Sequence, residues 1–230
     1  MKNIVTAPFS PWEIILGWCY LAFQQLLLGN ILFSLNRALG LALSLAEINI
    51  VFFCVNFVCS VVLLRKVIVR AHKVWMENLL PTLLTALSAT LLIRVAGRFL
   101  GVLILVLQPE FSNVNDAAVQ DMLNDSTVLM SLCTVFLVPF AEELLFRGFV
   151  FGVIHRRNRW LAYAVSTFLF SLVHILTFIG QVEPVTLLLC FLQYIPSGML
   201  LAWAYERTDS IYTPILAHAT LNLMGMIPWS

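Results

Sequence analysis

Two adjacent acids, Glu142 and Glu143, stand in an otherwise apolar stretch, and Arg147 follows four residues after the second. Carboxylates at membrane depth are costly, so such a cluster marks a functional site by default. Two further pairs share the four-residue spacing: Phe170 with His174, and His218 with Asn222. Residues four apart lie on one helix face, so Glu143 and Arg147 are placed to pair. Glu142 is rotated by about 100° and cannot share that arginine equally. One acid is therefore expected to be neutralised and structural, and the other free. A free carboxylate, two imidazoles and an amide suit the activation of a water molecule. In that chemistry Glu142 takes the proton as general base, and His174 positions the water or shares its proton. Asn222, together with His218, donates hydrogen bonds to the oxyanion of a tetrahedral intermediate.

Each residue also has a plainer use. Histidine and asparagine in membrane helices commonly join neighbouring helices, and the Glu143–Arg147 pair serves equally as architecture. Arg94 and Arg98 read as helix-joining or snorkelling cations rather than catalytic ones. Coincidence of depth favours chemistry. Measured from the expected cytoplasmic span ends, Glu142 lies about 18 Å in, His174 about 21 Å, Asn222 about 16 Å and His218 about 10 Å. Other intramembrane hydrolase designs are missing. There is no H-E-x-x-H helix, no Gly-x-Ser-Gly around Ser197-Gly198, and no pair of aspartates within the spans.

The elements that must position these groups follow from composition. Of the 230 residues 61% are hydrophobic and 11% charged, with a mean hydropathy of +0.95. Soluble domains run at about 45–50% apolar and about 25% charged. The chain reads as an all-α, polytopic integral membrane protein, with lipid as its first partner. No basic, aromatic-interleaved patch suggests nucleic acid. About seven spans (six to eight) of roughly 20 apolar residues are expected, near 13–33, 46–64, 79–107, 129–154, 160–179, 185–204 and 211–229. The third is long and is expected to tilt or break near Gly97. Pro139 should loosen its helix and free a carbonyl beside the acids, and Pro196 marks a similar weak point. The first span reads as retained rather than as a removed signal. The cysteines at 19, 54, 59, 133 and 190 form no C-x-x-C pair and read as small packing residues.

Loop charge orients the chain. Arg65, Lys66, Arg70 and Lys73 cluster between the second and third spans, and Arg156, Arg157 and Arg159 between the fourth and fifth. The segment 108–128 carries four acids and no Lys or Arg. The positive-inside rule places both basic segments and the N-terminus in the cytoplasm, in the cell membrane if the source is bacterial. The acidic segment falls outside and holds a short amphipathic helix over 115–123, capped by Asn115 or Asp116. One integral-membrane domain, 1–230, is the natural parse.

Taken together, Glu142-Glu143-x-x-x-Arg147, Phe170-x-x-x-His174 and His218-x-x-x-Asn222 resemble the three-part signature of the CPBP family. These are the CAAX-protease and bacteriocin-processing intramembrane proteases, also called Abi. The resemblance covers roughly 129–226 as a catalytic core, and no signature position departs from it. It implies helices around a central, water-reachable polar chamber and hydrolysis of a peptide bond in a membrane-associated peptide or lipidated protein tail. It further implies water activation by Glu142 and His174, oxyanion support from His218 and Asn222, and bracing by Glu143, Arg147 and Phe170. Members of the family have been described as metal-dependent and as glutamate-dependent. A site needing no cofactor is the preferred expectation. If a divalent metal such as zinc is bound, Glu142, His174 and His218 are the three ligands that such a site wants. Two other functions compete: a non-catalytic bacteriocin-immunity or peptide-binding protein of the same fold, and a proton carrier that uses Glu142 as relay.

Overall fold

The computed structural model describes residues 9–226. Among these residues the secondary structure is helical, with no strand. Five helices are long and apolar enough to cross a membrane: α1 (Pro11–Leu39), α2 (Leu45–Leu63), α4 (Leu79–Leu107), α6 (Val128–His155) and α8 (Pro184–Thr208). Between them lie α3 (Arg65–Glu77), α5 (Val114–Asp125), α7 (Arg159–Val173) and α9 (Tyr212–Met226). Helices stand at all seven expected span positions, but the seven-span count is not reproduced. The helices α7 and α9 have 15 residues each, about 22 Å, against a hydrocarbon core of about 30 Å. The expected last span also runs into 227–229, outside the described residues.

Several boundaries differ from expectation for local reasons. The helix α4 is unbroken through Gly97: its 29 residues span about 43 Å, longer than a hydrocarbon core of about 30 Å. The basic segment 65–73 is not a loop but most of α3. The acidic-segment helix starts at Val114, and its cap is Asn113 rather than Asn115 or Asp116, because the Asn113 side chain accepts from both of those backbone N–H groups. Ser10 and Ser44 open α1 and α2 with reciprocal capping boxes to Glu13 and Glu47. The helix α8 continues through Pro196 without a break.

The long helix α4 shows how the sequence assigns its faces. Val95, Phe99, Val102 and Val106 are exposed at spacings of four, three and four, a stripe suited to lipid and not to water. Its buried face carries Ile93 with Ala86, Ala89 and Thr90, the last three small enough to let backbones approach. That face packs against α8 and α9, where the Thr90 hydroxyl lies within reach of the Ala217 carbonyl, 3.5 Å away. At the other extreme, every residue of α6 from Glu143 to Gly152 is buried. A helix hydrophobic all round belongs at the centre of a bundle, and α6 indeed packs against α2, α7 and α9.

The basic segments gather at one end of the bundle. Arg70 of α3 pairs with Asp209, the left-handed residue (φ 55°) that ends α8. Three residues earlier, Glu206 accepts from Arg159 Nε and Nη2 at 2.6 and 2.7 Å, and lies 3.0 Å from His155. A single end therefore carries both segments assigned to the same side by their charge.

Gly198 sets the α7–α8 approach. A Cβ there would lie 2.7 Å from Thr167 Cγ2 and 3.1 Å from the Thr167 Cα, and backbone cannot give way as a flexible side chain can. Gly198→Val is expected to destabilise the fold by about 1–3 kcal/mol. Gly101→Ala, where an added Cβ meets nothing within 4 Å, is expected to leave stability unchanged or slightly raised. Thermal denaturation of both variants in one detergent checks this, and equal midpoints would refute the tight contact.

Candidate functional site

The site begins with irregular backbone in α6. Pro139 has no N–H to offer the carbonyls four and five residues before it. Around it the helix widens into π-turns at Cys133–Leu137 and Leu144–Phe151, a form concentrated at functional sites. One carbonyl that Pro139 leaves without its N–H, that of Thr134, accepts from Asn222 Nδ2 of α9 at 2.8 Å. The loosening expected at Pro139 is thus present, and it is what ties the amide of the third motif to the helix of the first.

Glu143 and Arg147 form a buried ion pair on one face of α6, Arg147 Nη1 donating to Glu143 Oε1 at 2.8 Å with both side chains fully inaccessible. Arg147 Nη2 donates to the Gly198 carbonyl of α8 at 3.1 Å, and its guanidinium lies 4.3 Å from the centre of the Phe170 ring on α7. Both contacts are worth more when desolvated. The same oxygen, Glu143 Oε1, lies 2.8 Å from His218 Nδ1 of α9. Glu142 makes neither contact and lines a cavity instead. The division read from the one-residue offset is the division found: Glu143 Oε1 meets both Arg147 and His218, and Glu142 meets neither, although the second oxygen of each acid is buried with no hydrogen-bond partner among the described residues.

His174 is not inside a helix. The helix α7 ends at Val173, six residues short of the expected span. Its chain then turns through Leu176–Phe178 and Gly180, whose φ is +82°. His174 Nδ1 lies 2.7 Å from the Phe170 carbonyl, one of the orphan acceptors of a helix C-terminus. A carbonyl only accepts, so Nδ1 is the donor and the neutral ring keeps its lone pair on Nε2. The opposite side of the imidazole stacks on Tyr194 of α8, centroids 4.2 Å apart at 26°. The Tyr194 hydroxyl donates to Asp116 Oδ1 at 2.7 Å and accepts from Asn115 Nδ2 at 3.0 Å. The amphipathic helix α5 is thereby fastened to the histidine of the second motif. Sequence reading missed Tyr194, because an aromatic in an apolar helix carries no periodic signal of its own.

The cavity has a volume of about 550 Å³, within the roughly 300–1,000 Å³ usual for ligand sites. Glu142, Phe170, His174, His218 and Asn222 all line it, whereas Glu143 and Arg147 lie beneath its wall. The structure so brings the predicted residues of three motifs to one space. It adds Arg94 and Arg98, read from sequence as helix-joining or snorkelling cations, to the lining. Among the described residues no three of His, Cys, Asp and Glu are grouped closely enough to hold a metal ion. His218 turns Nδ1 to Glu143 and His174 turns Nδ1 to a backbone carbonyl, which leaves Nε2 as the ring nitrogen that each has for a ligand or a water.

Comparison with known proteins bears out the resemblance over the C-terminal part of the chain. Residues 124–224 match the family described as "Type II CAAX prenyl endopeptidase Rce1-like". Among curated proteins the chain is similar to "UPF0177 protein YxdF" of Lactococcus lactis, 30% identical over 54% of this chain and 64% of that protein. It is also similar to "Putative membrane peptidase YdiL" of Bacillus subtilis, 28% identical over 49% of this chain and 42% of that protein. The matches span 42% to 64% of the length of the curated relatives. No solved structure matches the chain significantly. These matches, with the apolar helices, support an integral membrane protein whose C-terminal part is similar to membrane peptidases.

Removing one partner of a buried pair strands the other. Arg147→Met is expected to cost about 3–5 kcal/mol, and adding Glu143→Leu should recover much of it, because two apolar groups replace the pair. Denaturation midpoints of the two single variants and the double variant in detergent check this. A double variant less stable than Arg147→Met alone would show that the carboxylate is held by His218 without need of the arginine.

Proposed function

We propose that the chain is an intramembrane endopeptidase that hydrolyses a peptide bond in a membrane-associated peptide or protein tail, with Glu142 as the base that activates water. The observation that carries this reading is the shared lining: an unpaired carboxylate, two imidazoles and an amide from α6, α7 and α9 around one cavity. The peptidase-type family match over 124–224 supports the same class of reaction.

The steps follow from which atoms are already committed. A water in the cavity loses a proton to Glu142 and attacks the scissile carbonyl carbon. His174 presents the Nε2 lone pair to that water, because Nδ1 is spent on Phe170. Attack moves the carbonyl electrons onto oxygen, and donors preset around it lower the barrier. Asn222 spends one amide hydrogen on Thr134 and has a second to give. His218 gives a hydrogen from Nε2 while Nδ1 donates to Glu143 only as imidazolium. Collapse of the intermediate expels the amine, which takes the proton held by Glu142. No step requires a metal ion. The orientation that fits the grouped basic segments has the N-terminus in the cytoplasm.

A non-catalytic peptide-binding or immunity protein is the alternative of the same fold, and it makes no demand on Glu142 as a base. Purified wild type, Glu142→Gln and His174→Ala, each incubated with a peptide mixture with and without chelator, separate the two. Cleavage by the wild type alone, insensitive to chelator and lowered by about 10³-fold or more in both variants, is expected; single catalytic groups are commonly worth this much. Full cleavage by Glu142→Gln protein would remove the hydrolytic reading, and chelator sensitivity would restore a metal to it.

A further inference from the structure

The proposed mechanism leaves one pair of cavity residues unused. Arg94 and Arg98 stand on α4, outside the segment that carries the three motifs, in a helix whose other residues between 79 and 107 carry no charge. Cations are expensive at such a position and mark ion or substrate pathways when they face a cavity rather than lipid. Ile93, Arg94, Gly97 and Arg98 all line the cavity with Glu142 and His174, so a single face of α4 forms one of its walls. The two arginines are one turn apart, about 6 Å along the axis. Between them Gly97 leaves open space: a Cβ there would meet nothing within 4 Å. Each arginine also has another contact, and a guanidinium with five N–H donors holds more than one acceptor at once.

We infer that Arg94 and Arg98 form an anion-binding subsite that holds the C-terminal carboxylate of the peptide substrate. The inference rests on the reading of the cavity as a substrate chamber. A planar guanidinium fork matches a carboxylate in two parallel hydrogen bonds. Every unblocked peptide ends in that group, and anchoring it fixes how far from the end of the tail a bond reaches Glu142. The same oxygen chemistry belongs to a lipid phosphate. A carboxylate is favoured because the same lining carries Glu142, the base of the proposed hydrolysis: a peptide anchored by its end brings its bonds to that base, and a lipid headgroup brings none.

The test uses the Glu142→Gln protein, so that retention is read without turnover. It is immobilised in detergent and exposed to two degenerate nonapeptide pools, one ending in free carboxylate and the other C-terminally amidated. Retained peptides are counted by mass spectrometry. The acid pool is expected to be retained at least about tenfold more strongly, equivalent to about 1.4 kcal/mol. Adding Arg94→Gln and Arg98→Gln should bring the two pools to parity, and Arg94→Lys with Arg98→Lys should keep part of the preference. A matched denaturation midpoint confirms that each variant is folded. Equal retention of acid and amide by the Glu142→Gln protein overturns the subsite, as does a preference that survives both glutamine substitutions. Loss of the acid preference on adding phosphatidylglycerol, with no loss on adding an acetate salt, assigns the arginines to lipid headgroups and overturns the carboxylate. Parallel digestion by the wild type keeps the two readings apart. Acid preference without cleavage removes hydrolysis and leaves the subsite, whereas equal cleavage of acids and amides removes the subsite and leaves hydrolysis.

Discussion

One buried anion organises the bundle. The Glu143 carboxylate sits in the interior of α6 with no exposure, and a single oxygen of it meets Arg147 and His218. A charge in such a place is tolerated only when paired and hydrogen-bonded. Its pairing reaches outward: through Arg147 to the backbone of α8 and the ring of Phe170 on α7, and through His218 to α9. Four helices are therefore indexed to one side chain. Glu142, its neighbour in sequence, is turned by a helical step onto the cavity, and its availability depends on Glu143 having taken the cations.

The irregular backbone lies where that arrangement needs it. Non-helical chain at membrane depth persists only where protein or a cavity surrounds it. The π-turns of α6 and the end of α7 at Val173 both adjoin the cavity residues. Each leaves a backbone carbonyl that a motif side chain then takes: Asn222 on Thr134, His174 on Phe170. The side chains that would act on substrate are thus aimed by the backbone groups they satisfy. The helix α5 adds a polar support, since Asp116 and Asn115 hold the Tyr194 on which His174 stacks.

Much of this was legible in the residues alone. The four-residue spacings predicted the Glu143–Arg147 pair and the separation of roles between the two acids, because helical periodicity is a local property. Hydropathy located a helix at each expected span, and Pro139 announced a freed carbonyl. What escaped was non-local. Hydropathy does not say where an apolar helix stops, so α7 ends six residues before the expected span does, and α4 runs unbroken through the Gly97 where a tilt or break was expected. Asn113 was passed over as a cap because the following polar residues offered the same chemistry. Tyr194, Arg94 and Arg98 joined the site only through the packing of α4 and α8 against the motif-bearing helices.

The account stands on Glu142 facing a water-reachable cavity rather than lipid. In a background with the cysteines at 19, 54, 59, 133 and 190 replaced, Glu142→Cys and Phe136→Cys place one thiol each on α6. Phe136 is 61% exposed on the outer surface of the same helix. Labelling by a charged, membrane-impermeant methanethiosulfonate from either side of proteoliposomes measures the difference directly. The account predicts modification at 142 and none at 136. An unreactive thiol at 142, or equal reactivity at both positions, would contradict it.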